Sequence, residues 1–192
     1  NTDTRSGFVA VIGAPNAGKS TLVNRMVGAK VSIVTHKVQT TRARVRGVAI
    51  EDNTQIVYVD TPGIFRPRRK LDEAMVEAAW EGADAVDLCL LLVDAPAYYS
   101  YLKDDQAKRA AQRAGEDTDL IIERLQGQSA NLVLVLNKID QMARDRLLML
   151  TEHLRNKLPF REIFMISAEK GLGTDDLQKF VVAEMPPGPW MY

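Results

Sequence analysis

One cysteine, Cys89, occurs in 192 residues, so no intramolecular disulfide can form and the chain has to be held by a packed core in a reducing, cytosolic setting. Cys89 itself reads as a small core residue. Histidine is nearly as scarce, and neither His36 nor His153 has a cysteine or histidine neighbour at metal-ligand spacing, which argues against zinc. Long apolar runs are missing too. The longest, Leu88 to Val93, is far short of the roughly 20 residues of a spanning helix and reads as a buried strand. No stretch has the composition of a signal peptide. There is no excess of one charge: 25 basic residues balance 25 acidic ones, which leaves no whole-chain footprint for nucleic acid or an anionic membrane. Any RNA contact has to be local or lie outside these residues.

What is present is ordinary globular composition, 46% hydrophobic and 26% charged, and enough length for one well-buried core. Residues 1–185 are expected to form one domain, and 186–192, with three prolines and a glycine before Trp190, to begin a linker. Phe8 to Ile12 is a strand candidate that leads through Gly13 into helical composition from Lys19 to Val27. Ala43 to Ile50 and Thr54 to Val59 are β-prone and flank a turn at Glu51, Asp52 and Asn53, which predicts an antiparallel hairpin. Leu71 to Ala83 reads as a helix. Val86 to Val93, Leu132 to Leu136 and Ile163 to Ile166 are further strands, followed by helices over Asp104 to Leu125, Asp145 to Leu158 and Thr174 to Glu184. This alternation predicts a three-layer α/β/α domain whose six-stranded sheet is mostly parallel with one antiparallel strand.

The connection from Asp94 to Asn131 is too long to be structureless, and one helix, with an extra turn or a second short helix before it, is expected there. Pro96, Tyr98, Tyr99 and Tyr101 could form a contact surface for a partner or pack against the domain.

Gly13, Ala14, Pro15, Asn16, Ala17, Gly18, Lys19 and Ser20 match G-x-x-x-x-G-K-[ST] between a strand and a helix, as a P-loop requires. The glycines allow the backbone amides to turn inward on phosphate oxygens, and the helix directs its positive end at the same anion. Lys19 supplies a point charge, and the Ser20 hydroxyl, followed by Thr21, can ligate Mg2+. The base is read elsewhere. Asn137, Lys138, Ile139 and Asp140 close the Leu132 to Leu136 strand, and the Asp140 carboxylate can accept both donors on guanine's edge, its ring N1–H and its amine. Adenine presents a lone pair at the corresponding ring nitrogen, so it cannot pair in this way. Asn137 can brace the loops, and the Lys138 stem can lie over the base. Ser167, Ala168 and Glu169 end the next strand, where the Ala168 amide could donate to guanine O6.

Asp60, Thr61, Pro62 and Gly63 follow the Thr54 to Val59 strand, where Asp60 can hold a metal-bound water and the Gly63 amide can reach the terminal phosphate. Upstream, Thr41 is favoured over Thr40 to complete the metal shell when the triphosphate is present. Ordering of both loops by that phosphate would make a switch. Lys19, Thr41, Asp60 and Gly63 form the expected catalytic set.

These elements, in this order, resemble the translation-factor-related P-loop GTPases and, within them, the Era family. The strings GAPNAGKSTLVN, KVSIVTHKVQTTRARVRG, DTPGI and NKID carry the resemblance from Phe8 to Trp190. It implies hydrolysis of GTP to GDP with Mg2+ and a role in ribosome assembly. It also implies small-subunit rRNA and the 30S precursor as partners, bound chiefly through a C-terminal KH domain outside these residues. A monomer in the cytoplasm, with peripheral contact at the inner membrane, is implied in the same way. Ile64 follows Gly63, so no glutamine stands there to orient water and intrinsic hydrolysis should be slow. A nucleotide-dependent RNA or protein scaffold with negligible turnover is the alternative. Asn16 is similar to an asparagine that binds K+ in some relatives, which would speed the reaction; loop bracing is its other use. Arg42, Arg44 and Arg46 alternate along a strand, and Arg66, Arg68, Arg69 and Lys70 crowd a loop; these could meet RNA or form a solvated face.

Overall fold

Phe8 to Ile12 falls inside the first strand of a six-stranded sheet, with helices on both of its faces. The structure, a computed structural model, describes residues 3–28, 44–60, 86–104, 106–127 and 131–192. Along the chain these residues form β1 (Arg5–Gly13), α1 (Lys19–Val27), β2 (Arg44–Glu51), β3 (Thr54–Asp60), β4 (Leu88–Asp94), α2 (Ala95–Lys103) and α3 (Arg109–Leu125). They continue through β5 (Leu132–Asn137), a single 3-10 turn (Ile139–Gln141), α4 (Arg144–Arg155), β6 (Glu162–Met165) and α5 (Thr174–Glu184). The expected helix from Leu71 to Ala83 lies outside the described residues.

The sheet order is β2-β3-β1-β4-β5-β6. All neighbours are parallel except β2 and β3, which form the expected hairpin around Asp52 and Asn53. Strands β4 and β5 are apolar at nearly every position because both faces are covered, as parallel strands require. Ala10, Ile12, Leu91 and Leu134 face a core closed by Tyr98 of α2, Ile121 and Leu125 of α3, and Leu150 and Leu154 of α4. Val9, Val11, Leu90 and Val133 face a second core under Leu22, Val23 and Met26 of α1 and Leu177 and Val181 of α5. Cys89 is buried in the first of these cores, at 1% exposure.

The Asp94 to Asn131 connection folds as two helices. Asp94 ends β4 and caps α2, its carboxylate accepting the Ala97 amide at 3.0 Å, so the chain turns from strand to helix without a loop. Tyr98 is 1% exposed. Its hydroxyl donates to Asp119 Oδ1 at 2.5 Å, and that of Tyr101 donates to Asp119 Oδ2 at 2.7 Å. Burial foremost, then the Asp119 bond, raises the Tyr98 phenol; the bond to Asp119 is the main cause that pushes Tyr101 up to about 12. Gly115 of α3 sits where a Cβ would overlap the Tyr101 ring, so its missing side chain lets the two helices close. Of the two uses open to these tyrosines, packing is the one seen. Tyr99 lies under the Arg146 guanidinium, 5.3 Å from the ring centroid.

The tail is docked along the β2–β3 hairpin. Gly188 N donates to Thr4 O and the Trp190 indole to Asn53 O, both at 3.0 Å. Gln55, 1% exposed, accepts the Met191 amide at 2.9 Å and donates to Tyr192 O at 2.8 Å.

Candidate nucleotide site

Strands β1, β3, β4 and β5 are parallel, so their carboxyl ends meet at one edge of the sheet, where ligands of open α/β sheets bind. Gly13 pairs beside Leu92, and Asp94 beside Asn137; Asp60 ends β3 on the same side. A Cβ on Gly13 would stand 2.6 Å from Leu92 O, so only glycine allows the loop to leave the sheet there. Gly13, Ala14 and Ala17 are buried, Gly18 and Lys19 half-buried, and Pro15, Asn16, Ser20 and Thr21 exposed.

Helix α1 starts after Gly18, which has φ 104°, and its first turn has neither a side-chain cap nor an acidic residue. Its leading amides and the positive end of its dipole are therefore available to an anion. Lys19 folds back over the loop, its Nζ donating to Gly13 O at 2.6 Å and Ala14 O at 3.3 Å. Burial holds its ammonium below the ordinary lysine range; Asp60 opposes that fall and Arg46 adds to it. A phosphate against Nζ would favour its charged form.

Base-reading residues close on the same loop. Asn137 is 2% exposed; its Nδ2 donates to Ala17 O and its Oδ1 accepts the Ala168 amide, both at 2.9 Å. Lys138, held at φ 66°, donates from Nζ to Asn16 O at 2.9 Å and to Asp94 Oδ2 at 2.7 Å. Asp140 follows in the 3-10 turn and is exposed. Gly18 is pressed against Asn137 so closely that a Cβ would overlap Nδ2.

Ser167 and Ala168 are buried, Glu169 is exposed, and the Ser167 hydroxyl accepts the Lys170 amide at 3.1 Å. The Ala168 amide therefore already has a partner in Asn137, and guanine O6 would have to share it.

Three side chains in this site were not singled out as its residues from the sequence. Asp94 pairs with Lys138. Arg25 of α1 donates to Ala168 O at 2.5 Å and Glu169 O at 2.8 Å, tying the phosphate helix to the base loop. Arg46 departs from the expected solvated or RNA-facing edge: it bonds Ser20 Oγ and Asp60 Oδ2, each at 2.8 Å. Its strand is bulged at that point, so the simple alternation of faces does not hold. Thr41, Thr61, Pro62 and Gly63 lie outside the described residues, as do Thr40, Ile64 and the basic loop from Arg66 to Lys70. Arg42 does too.

A family model described as 50S ribosome-binding GTPase matches residues 8–138. The chain belongs to this GTPase family. Within it, the similarity is to Era. The GTPase Era of Caulobacter vibrioides (strain NA1000 / CB15N) is 54% identical over 189 residues, covering 98% of this chain and 60% of the relative. The chain thus spans about 60% of the length of the curated relatives it matches first. Among solved structures, an Aquifex aeolicus Era variant bound to GDP.AlF4- aligns with TM-score 0.69 and 34% identity over 98% of this chain and 60% of that one. An Era structure with MgGDPNP and nucleotides 1506–1542 of 16S ribosomal RNA gives the same TM-score, identity and coverage.

Proposed function

We propose that this chain binds GTP with Mg2+ and hydrolyses it to GDP and phosphate, as a switch in small ribosomal subunit assembly. One observation carries this: Asn137 and Lys138 bond to Ala17 and Asn16 across 120 and 122 positions of sequence. A phosphate cradle and a base reader joined by direct hydrogen bonds are close enough for one nucleotide to span both. In this proposal Gly13 to Thr21 wrap the phosphates, Lys19 neutralises them, and Asp140 accepts the two guanine donors. Lys138 covers the base, and Ser167, Ala168 and Glu169 border it. Thr41, Thr61, Pro62 and Gly63 complete the site from the two switch segments.

Ser20 and Asp60 suit Mg2+. Both are oxygen donors, the ligand type that Mg2+ takes, and both already converge on one cationic group, the Arg46 guanidinium. Asp60 would act through a water. When bound, Mg2+ offsets charge on the phosphates; the protein's own part is to orient them and to keep Lys19 against them.

Residues 1–185 are the GTPase domain in this proposal and 186–192 the start of a linker to a KH domain of the whole protein. The relative crystallised with 16S rRNA supports small-subunit rRNA and the 30S precursor as that protein's partners. No helix among the described residues is long and apolar enough to cross a membrane. A cytoplasmic monomer with at most peripheral contact at the inner membrane fits the family.

The test is equilibrium binding of GTP, GDP and ATP to the chain and to Asp140→Asn. Loss of the charge-assisted bonds should weaken GTP by about a hundredfold and leave ATP unchanged; an unchanged preference for GTP would overturn the base assignment. Single-turnover hydrolysis with and without ribosomal particles separates the switch from the scaffold that Ile64 favours, since the scaffold turns over in neither. K+ at Asn16, which is exposed and has φ 67°, predicts faster turnover in K+ than in Na+ buffer; equal rates remove that role.

A further inference from the structure

Strand β2 carries an irregularity beside the phosphate cradle. Val45 pairs with Val59 and Gly47 with Tyr58, which leaves Arg46 as the extra residue of a β-bulge. A bulge bends its strand and re-aims the side chain it carries, and bulges are common next to active sites for that reason. The Arg46 side chain is 24% exposed and donates from Nη1 to Ser20 Oγ and from Nη2 to Asp60 Oδ2, each at 2.8 Å. Its Nε is buried with no hydrogen-bond partner among the described residues. Gly47 makes room for this placement: a Cβ there would stand 2.9 Å from Val27 Cγ2 and 3.4 Å from Val23 Cγ1 of α1. The glycine lets β2 lie close on α1, whose first turn holds Ser20.

Arg46 thus occupies, with one planar fork, the two donors assigned above to Mg2+. The Asp60 carboxylate also acts on the nearby Lys19 ammonium. A divalent ion entering between Ser20 and Asp60 competes for the same oxygen atoms and repels the guanidinium, so the two cations exclude each other. We infer that Arg46 is a built-in cation that holds Ser20 and Asp60 in the metal-free protein and is displaced when Mg2+ binds, so that it sets how much Mg2+ the site requires. This rests on the assignment of Ser20 and Asp60 to the metal. Arg46 is a positioning residue here: it keeps the two donors within reach of each other between nucleotides and raises the Mg2+ concentration needed to load the site.

The experiment is a Mg2+ titration of the 192-residue chain carrying fluorescent GDP, read as the rate of nucleotide dissociation, with melting curves to verify folding. In Arg46→Met the half-saturating Mg2+ should fall by about three- to tenfold, the net range of one hydrogen-bonded contact partly open to water. Arg46→Lys should fall less, since a point charge keeps part of the competition. An unchanged or raised requirement in Arg46→Met overturns the inference, and a raised one would mean that Arg46 assists the metal. Ser20→Ala and Asp60→Asn separate this from the underlying assignment: both should raise the requirement. If neither does, the metal assignment has failed and the inference falls with it.

Discussion

At the base end of the site, Asn137 is 2% exposed and holds Ala17 O and the Ala168 amide by two neutral bonds of 2.9 Å. At the phosphate end the contacts are ionic and partly open to water: Arg46 and Asp60 are 24% and 19% exposed, and Lys19 donates to the Gly13 and Ala14 carbonyls. The first arrangement satisfies every group it buries and needs no ligand. The second places a desolvated ammonium beside helix amides that have no side-chain cap, where an anion would be favoured. A pre-built reader for the base thus stands beside a cradle shaped to attract an anion.

Asn137→Ala should break this contrast most severely. It removes two buried bonds and strands a carbonyl and an amide, at a cost of about 2–4 kcal/mol in unfolding free energy, together with loss of GTP binding. Denaturant unfolding checks it, and full retained stability would mean that the base end is not held by Asn137. Lys19→Ala should act on the other half alone: GTP affinity falls by about a hundredfold as two charge-assisted contacts to phosphate are lost, while unfolding free energy stays within about 1 kcal/mol of the parent. Calorimetric titration beside the same unfolding assay would show whether binding and stability separate.

The smallest effect lies away from the site, where α2, α3 and α4 meet. Burial, then Lys157, holds the His153 imidazole below its ordinary value, against the pull of Asp119. A depressed folded value means that its contribution is present above the usual histidine range and is lost as pH falls through it. The melting temperature should therefore slip below about pH 6.5, and His153→Gln should flatten that slope. On the alkaline side the sign reverses: Tyr101, pushed up to about 12, contributes fully below the ordinary tyrosine value and loses that contribution as pH rises toward its own.

The strands, the helical layers and the two ends of the site were legible because their signals are local: a buried parallel strand is apolar throughout, and the Gly13 to Ser20 and Asn137 to Asp140 strings each follow one. Arg46 was misplaced because the bulge depends on the pairing of β2 with β3, which no single strand records. Asp94 reads as the start of a connection; it also caps α2 through Ala97 and pairs with Lys138, 44 positions on. Arg25 carried no signal beyond that of a basic residue in a last helical turn. The tail's prolines suggested a spacer, whereas the hydrogen bonds that seat it come from Gln55 and Asn53, more than 130 positions earlier.

Gly18 belongs to the phosphate string, yet what a side chain there would strike is the Asn137 carboxamide. A lone methyl at position 18 would work as a wedge, prising that carboxamide from Ala17. The damage would then surface at Asn137, far down the chain, as blurred discrimination between purines, even where the grip on phosphate survived.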